Sequence, residues 1–202
     1  MPIPDNRGDW GVLGGSFDPV HNGHLNLAGA ICIKKHLHGA LIIPAYKHPL
    51  KKRAFVAPYA DRIAMLKLAL SGQNALQLCE IESEQRLSGY SYDTLQALKK
   101  RFPKAKIHFI IGSDLVPQLK SWHRADELIK EGSFLVGSRP GGEKSIDSTL
   151  PNTNFEFVEI NELDISASDI RKRIKGGAPV DDIKQLVPKK VAEFIFKKGL
   201  YR

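Results

Sequence analysis

Short apolar runs alternate along the chain with stretches in which apolar residues recur every three or four positions. The runs read as buried strands and the periodic stretches as helices with one inward face. Strands are expected at 11–13, 40–43, 76–81, 106–111, 133–137 and 155–158. Helices are expected at 22–37, 59–70 and 91–101, with Ile63, Leu66, Leu70, Leu95 and Leu98 facing inward. Another helical stretch begins at Gly112-Ser113-Asp114, and two short helices close the chain. Pro188 opens the final one, Val191, Phe194 and Ile195 form its buried face, and Gly199 lies past its end. Residues 44–58 and 139–150 read as loops, the first rich in Pro and Lys, the second in Gly.

Strands that alternate with helices imply βαβ units. The expected fold is α/β: a doubly wound, mostly parallel sheet with helices on both faces and a short helical C-terminal segment. At 202 residues the chain is expected to form one domain, 1–202. Ligands of such sheets bind beyond the carboxyl ends of the strands, where the strand order reverses. That nominates four places: the 14–24 loop, the loop after Ile43, the Gly112–Asp114 turn and the segment after residue 158.

Composition narrows the class only slightly. The 42% hydrophobic and 26% charged content is ordinary for a globular chain. The first residues carry no apolar signal core and no run approaches a membrane span, so no membrane partner and a cytoplasmic location are expected. Cys32 and Cys79 sit singly inside apolar patterns and read as packed thiols, as in a reducing compartment. No Cys/His spacing suits a structural metal, so no protein metal site is expected. The net charge of +8 favours anionic partners, either nucleic acid or small phosphorylated substrates. Much of it is scattered. Two basic groups stand beside candidate chemistry: Lys47, His48, Lys51, Lys52 and Arg53, and Arg171, Lys172, Arg173 and Lys175.

The chemistry concentrates at residues 12–24, Val-Leu-Gly-Gly-Ser-Phe-Asp-Pro-Val-His-Asn-Gly-His. A strand ends in Gly14 and Gly15, and the loop feeds a helix whose first turn holds His21 and His24. A helix N-terminus offers free N–H groups and partial positive charge to a phosphate. The glycines permit close backbone approach, and imidazoles can donate to phosphate oxygens. The segment reads as a polyphosphate site. It has neither the spacing of a dinucleotide fingerprint nor the G-K-[ST] of a Walker loop. Late in the chain, Ile165-Ser166-Ala167-Ser168-Asp169-Ile170-Arg171 reads as a second helix start. Ser166 is placed as an N-cap and Asp169 in the capping-box position, which leaves Arg171 to be explained. An arginine one turn into that helix suits the far phosphates of a nucleotide.

Together these motifs resemble the nucleotidyltransferase superfamily of H-x-G-H adenylyltransferases, and within it the bacterial nicotinate-nucleotide adenylyltransferases. The resemblance runs over nearly the whole chain. Gly89-Tyr90-Ser91-Tyr92-Asp93-Thr94-Leu95 resembles that family's S-Y-T-x-D-T-L segment. Gly112-Ser113-Asp114 with Trp122 resembles its G-x-D…W segment. The resemblance implies a Rossmann-like fold and the transfer of an adenylyl group from ATP to nicotinate mononucleotide, in NAD biosynthesis, with Mg²⁺ accompanying the ATP phosphates. It implies catalytic roles for His21 and His24 at the phosphates. It implies ATP-binding roles for Gly14, Gly15, Ser16, Phe17, Lys51, Gly112, Asp114, Ser166, Ser168 and Arg171, with Asp114 at the ribose. Asp18, His48, Tyr90, Ser91 and Trp122 are implied on the mononucleotide side, Trp122 by stacking on the pyridine ring.

The chain departs from the family pattern in a few places. Leu50 stands where a histidine is usual, with His48 two residues earlier, and Lys51 is kept. Gly89 replaces a serine, His123 a tyrosine and Ser168 a threonine. Most of these changes fall on the acceptor side, so the residues leave open whether the acid or the amide form of the pyridine mononucleotide is preferred. A non-catalytic nucleic-acid-binding protein would use the charge but explains neither motif, and no nucleic-acid partner is expected. The pattern does not indicate an oligomeric state.

Overall fold

The computed structural model describes residues 7–47, 55–141 and 154–202. Six strands form one sheet: β1 (Gly8–Gly15), β2 (Gly39–Pro44), β3 (Leu76–Leu78), β4 (Ala105–Gly112), β5 (Phe134–Ser138) and β6 (Phe155–Glu159). Their order is β3-β2-β1-β4-β5-β6, and every neighbouring pair is parallel. This is the α/β, Rossmann-like doubly wound sheet expected from the alternation.

Strand side chains alternate between the two faces, so the pleat divides the apolar residues into two cores. Leu13, Ile42, Ile110, Leu135 and Val158 pack with α1 (Asn22–Lys34), α2 (Tyr59–Leu70), α6 (Ala167–Lys175), α7 (Val180–Lys184) and α8 (Lys189–Lys198). Val12, Leu41, Ile43, Phe109, Ile111 and Val136 pack on the other face. There they meet α3 (Ile81–Glu84), α4 (Ser91–Arg101), a 3₁₀ helix (Ser113–Ser121) and α5 (Ala125–Glu131). Neighbouring residues of one strand thus serve opposite cores, which is why these strands read as continuous apolar runs.

Three elements differ from the sequence expectation. The run 76–81 is strand only to Leu78. Cys79 still donates its N–H to the Ile42 carbonyl, but Ile81 then starts α3, where its buried side chain joins the second core. The stretch after Gly112 is 3₁₀ and carries Pro117 inside it, so it has one donor fewer for regular helical bonds. The chain closes with three helices, because Gly176 and Gly177 end α6 and a five-residue α7 follows, anchored by the buried Ile183.

The strand order reverses between β1 and β4, where the loops leaving the two strands diverge and open a crevice. Val12 is level with Phe109. Gly15 and Gly112, each three residues further on, therefore lie together at the carboxyl edge of the sheet. The expected 14–24 loop and the Gly112 turn thus flank one opening. Among the described residues no helix is long and apolar enough to cross a membrane.

Candidate active site

The opening is a cleft of about 760 Å³, within the range of roughly 300–1,000 Å³ usual for small-molecule sites. Gly14, Gly15, Ser16, His21 and His24 line it from β1 and α1. Gly112, Asp114, Trp122 and Ser91 line it from the second face, and Ser166 from the start of α6. A Cβ placed on Gly14 would meet no atom within 4 Å, so open space lies over the backbone where the sequence reading puts a phosphate. A Cβ on Gly112 would lie 2.4 Å from Asp114 Oδ1. Only glycine lets the Asp114 carboxylate fold back over the end of β4.

The two imidazoles form one unit. Their rings stack with centroids 3.5 Å apart and planes at 28°. The His21 backbone N–H, at the N-cap of α1, donates to His24 Nδ1 at 3.2 Å. Phe17 is buried and packs edge-on against His24 at 4.9 Å. Burial lowers the His21 pKa from the usual 6.5 to about 4. The His24 pKa lies well below 6.5, through burial first and the neighbouring His21 second. Both rings are therefore neutral near pH 7. Because His24 Nδ1 accepts, its proton resides on Nε2, which is left as a donor.

The loop between Gly15 and His21 is held from beneath by a residue the sequence reading missed. Arg62 on α2 is fully buried. It donates to the Ser16 carbonyl at 2.7 Å and to the Ala45 carbonyl at 3.0 Å. Its guanidinium lies over the Phe55 ring at 3.8 Å and the Tyr59 ring at 5.2 Å. Burial lowers its pKa, and Asp18 is the leading opposing influence. The signal was present: Arg62 is four residues before Leu66, on the inward stripe of a helix, where a charge requires a partner. Glu82 was also missed. It is buried, lines the cleft, and accepts from the Tyr46 N–H at 3.0 Å and from Thr94 Oγ1 at 2.8 Å. Desolvation raises its carboxyl pKa. No local pattern links these three residues.

Five residues assigned from the sequence, Phe17, Asp18, Tyr90, Ser168 and Arg171, are absent from the cleft lining. Asp18 does not face the cleft. It is buried, and its carboxylate accepts from the N–H groups of Val56 and Ala57 at 2.7 and 3.0 Å and from the Tyr201 hydroxyl at 2.8 Å. With its oxygens engaged by the chain itself, it ties the loop to two distant segments. Phe17, at φ +48°, is likewise internal and backs His24 from within the core. Arg171 reaches the same loop, donating to the Asp18 carbonyl at 2.6 Å. Ser166 caps α6: its hydroxyl accepts from the Asp169 N–H at 3.1 Å and donates to Asp169 Oδ2 at 2.8 Å. Ser168 is exposed, and neither it nor Tyr90 nor Arg171 lines the cleft. Tyr90 instead stacks on His123. His48 and Lys51 lie outside the described residues.

A parallel sheet in this order, with paired imidazoles at the helix start beside its switch point, defines a nucleotidyltransferase. The comparisons agree. The cytidylyltransferase-like family model matches residues 12–173. A probable nicotinate-nucleotide adenylyltransferase of Saccharopolyspora erythraea is 34% identical over 95% of this chain and 89% of its own length. The nicotinate-nucleotide adenylyltransferase of Bacillus subtilis is 33% identical over 95% of this chain and 97% of its own. The chain belongs to the cytidylyltransferase-like family and, within it, to the nicotinate-nucleotide adenylyltransferases. The fold also matches Plasmodium falciparum nicotinic acid mononucleotide adenylyltransferase complexed with NaAD. The TM-score is 0.80 at 23% identity, over 96% of this chain and 97% of that one.

Proposed function

We propose that this chain, acting as one unit over 1–202, transfers the adenylyl group of ATP to nicotinate mononucleotide, releasing pyrophosphate and forming deamido-NAD. One observation carries the reading: the stacked His21–His24 pair and the Trp122–Ser91 wall open onto the same cleft across the β1/β4 switch point. A site for a triphosphate and a site for an aromatic acceptor thus share one space. The names of the relatives support the acceptor.

In the proposed reaction an acceptor phosphate oxygen bonds to the α-phosphorus in line. The bond from that phosphorus to the bridging oxygen breaks, and its electron pair leaves on pyrophosphate. The acceptor oxygen is already anionic, so no base is required. Alignment and relief of charge dominate the barrier. His24 Nε2–H donates to the α- and β-phosphates at the start of α1. An incoming polyphosphate favours the charged form of both rings, so charge neutralisation grows as the anion settles. Gly14 and Gly15 allow the phosphate chain to approach the backbone, and Asp114 takes the ribose hydroxyls. Trp122 stacks on the pyridine, and Ser91 closes the other side of its pocket. Arg171, one turn inside α6, steadies the phosphate loop through the Asp18 carbonyl.

Among the described residues no three His, Cys, Asp or Glu side chains converge on a metal-binding point. Mg²⁺ would be carried by the ATP phosphate oxygens and water, as suits an ion that sheds water reluctantly.

The test is turnover of the purified protein with MgATP and each pyridine mononucleotide. Pyrophosphate release with formation of the deamido dinucleotide is expected, at a kcat/KM well above that with the amide substrate. Preference for the amide overturns the acceptor assignment. Absence of transfer to either overturns the reading.

A further inference from the structure

The acceptor side of the cleft has two walls from distant parts of the chain. One is the start of α4, where Gly89 and Ser91 line the cleft. The other is the joint between the 3₁₀ helix and α5, where Trp122 lines it. Further from the cleft, α4 and α5 share one core, and Glu131 of α5 accepts from Tyr92, Gln96 and Lys99 of α4. At the cleft itself the two walls meet through rings. The His123 imidazole stacks on the Tyr90 ring with centroids 4.3 Å apart and planes at 26°. One step further along each wall, the Arg124 guanidinium lies 4.0 Å from the centre of the Tyr92 ring.

Local backbone aims both partners. Gly89 sits at φ +86°, a conformation that turns the chain immediately before Tyr90. The Tyr90 N–H then donates to Ser88 Oγ at 3.1 Å. On the facing wall Trp122 is extended and Arg124 is left-handed at φ +54°, with His123 between them. Arg124 is held by Glu127 at 3.0 Å. Trp122 lines the cleft, while the neighbouring His123, in the turn that leads into α5, stacks on Tyr90.

Resting on the reading above, we infer that His123 is a positioning residue for the acceptor. Its stack on Tyr90 sets the gap between Trp122 and Ser91 in which the pyridine ring is held. The contact acts on the acceptor side alone, because the phosphate loop and His21–His24 are fastened separately by Arg62 and Phe17. His123 itself is exposed, so removing its ring deletes the clasp without emptying a core.

The test compares wild type with His123→Ala and His123→Phe. In His123→Ala the KM for nicotinate mononucleotide rises about five- to tenfold, the size set by one aromatic pair, while the KM for MgATP and the melting temperature stay at wild-type values. His123→Phe restores the low acceptor KM because a flat ring is kept. Three outcomes overturn the inference: an unchanged acceptor KM in His123→Ala, an equal rise in both KM values, or no rescue by phenylalanine. All are read against an active wild type. A wild type that transfers to no pyridine mononucleotide overturns the functional reading, and this inference with it.

Discussion

The backbone N–H of His21 donates to Nδ1 of His24, and the two rings lie stacked at 3.5 Å. One hydrogen bond thus determines the tautomer of His24 and the orientation of its free Nε2–H. The bond exists because His21 is an extended N-cap and His24 lies three residues into the helix. The H-x-G-H spacing places the second ring directly over the first residue's backbone. The glycine has a role in this packing, since a Cβ at Gly23 would come within 3.0 Å of His21 Nδ1.

His24→Ala removes a fixed donor at the point where charge develops. Turnover is expected to fall by at least about a hundredfold, the scale of losing one preorganised donor. Steady-state kinetics with saturating MgATP checks this. A rate near wild type would remove His24 from the mechanism.

His21 makes stability depend on pH in a defined window. Its pKa is about 4 folded and 6.5 as a free side chain. Between those values the unfolded chain binds the extra proton, so stability rises with pH there and is lost as pH falls from 6.5 toward 4. The full effect is roughly 3 kcal/mol. Urea unfolding of wild type and His21→Asn across pH 4–7 should show a shallower acid loss in the variant. Parallel curves would argue against this source.

Arg62→Ala leaves the Ser16 and Ala45 carbonyls without their donor and empties buried volume. A loss of about 3 kcal/mol is expected. Arg62→Lys recovers only part of it, because an ammonium cannot reproduce the planar two-armed fork. Chemical denaturation of both variants gives the comparison.

Asp18 joins three distant segments: the loop it sits in, Val56–Ala57, and Tyr201 near the C-terminus. The buried Tyr201 hydroxyl has its pKa raised, through desolvation first and the Asp18 charge second. Tyr201→Phe should cost about 1.5–3 kcal/mol, the worth of a hydrogen bond to a charged group, with little change in acceptor KM in the part that remains folded. A large rise in acceptor KM without a stability loss would return Asp18 to the ligand-binding side.

The sequence by itself determined the class of fold, the six strands to within a few residues and both helix starts that face the cleft. These features are local. Period-two and period-3.6 patterns, a glycine pair, an N-cap serine and the H-x-G-H spacing act between residues close in the chain. The tertiary structure alone decided which polar residues face inward. Asp18 reads as a ligand residue beside the histidines, yet its partners lie 38, 39 and 183 positions away. Arg62 stands on the inward stripe of α2, yet its partners, the Ser16 and Ala45 carbonyls, lie 46 and 17 positions away. Tyr90 and His123 are 33 positions apart and meet only because α4 and α5 pack on one face of the sheet. A buried charge is stable only where its partners converge, and that convergence comes from long-range packing.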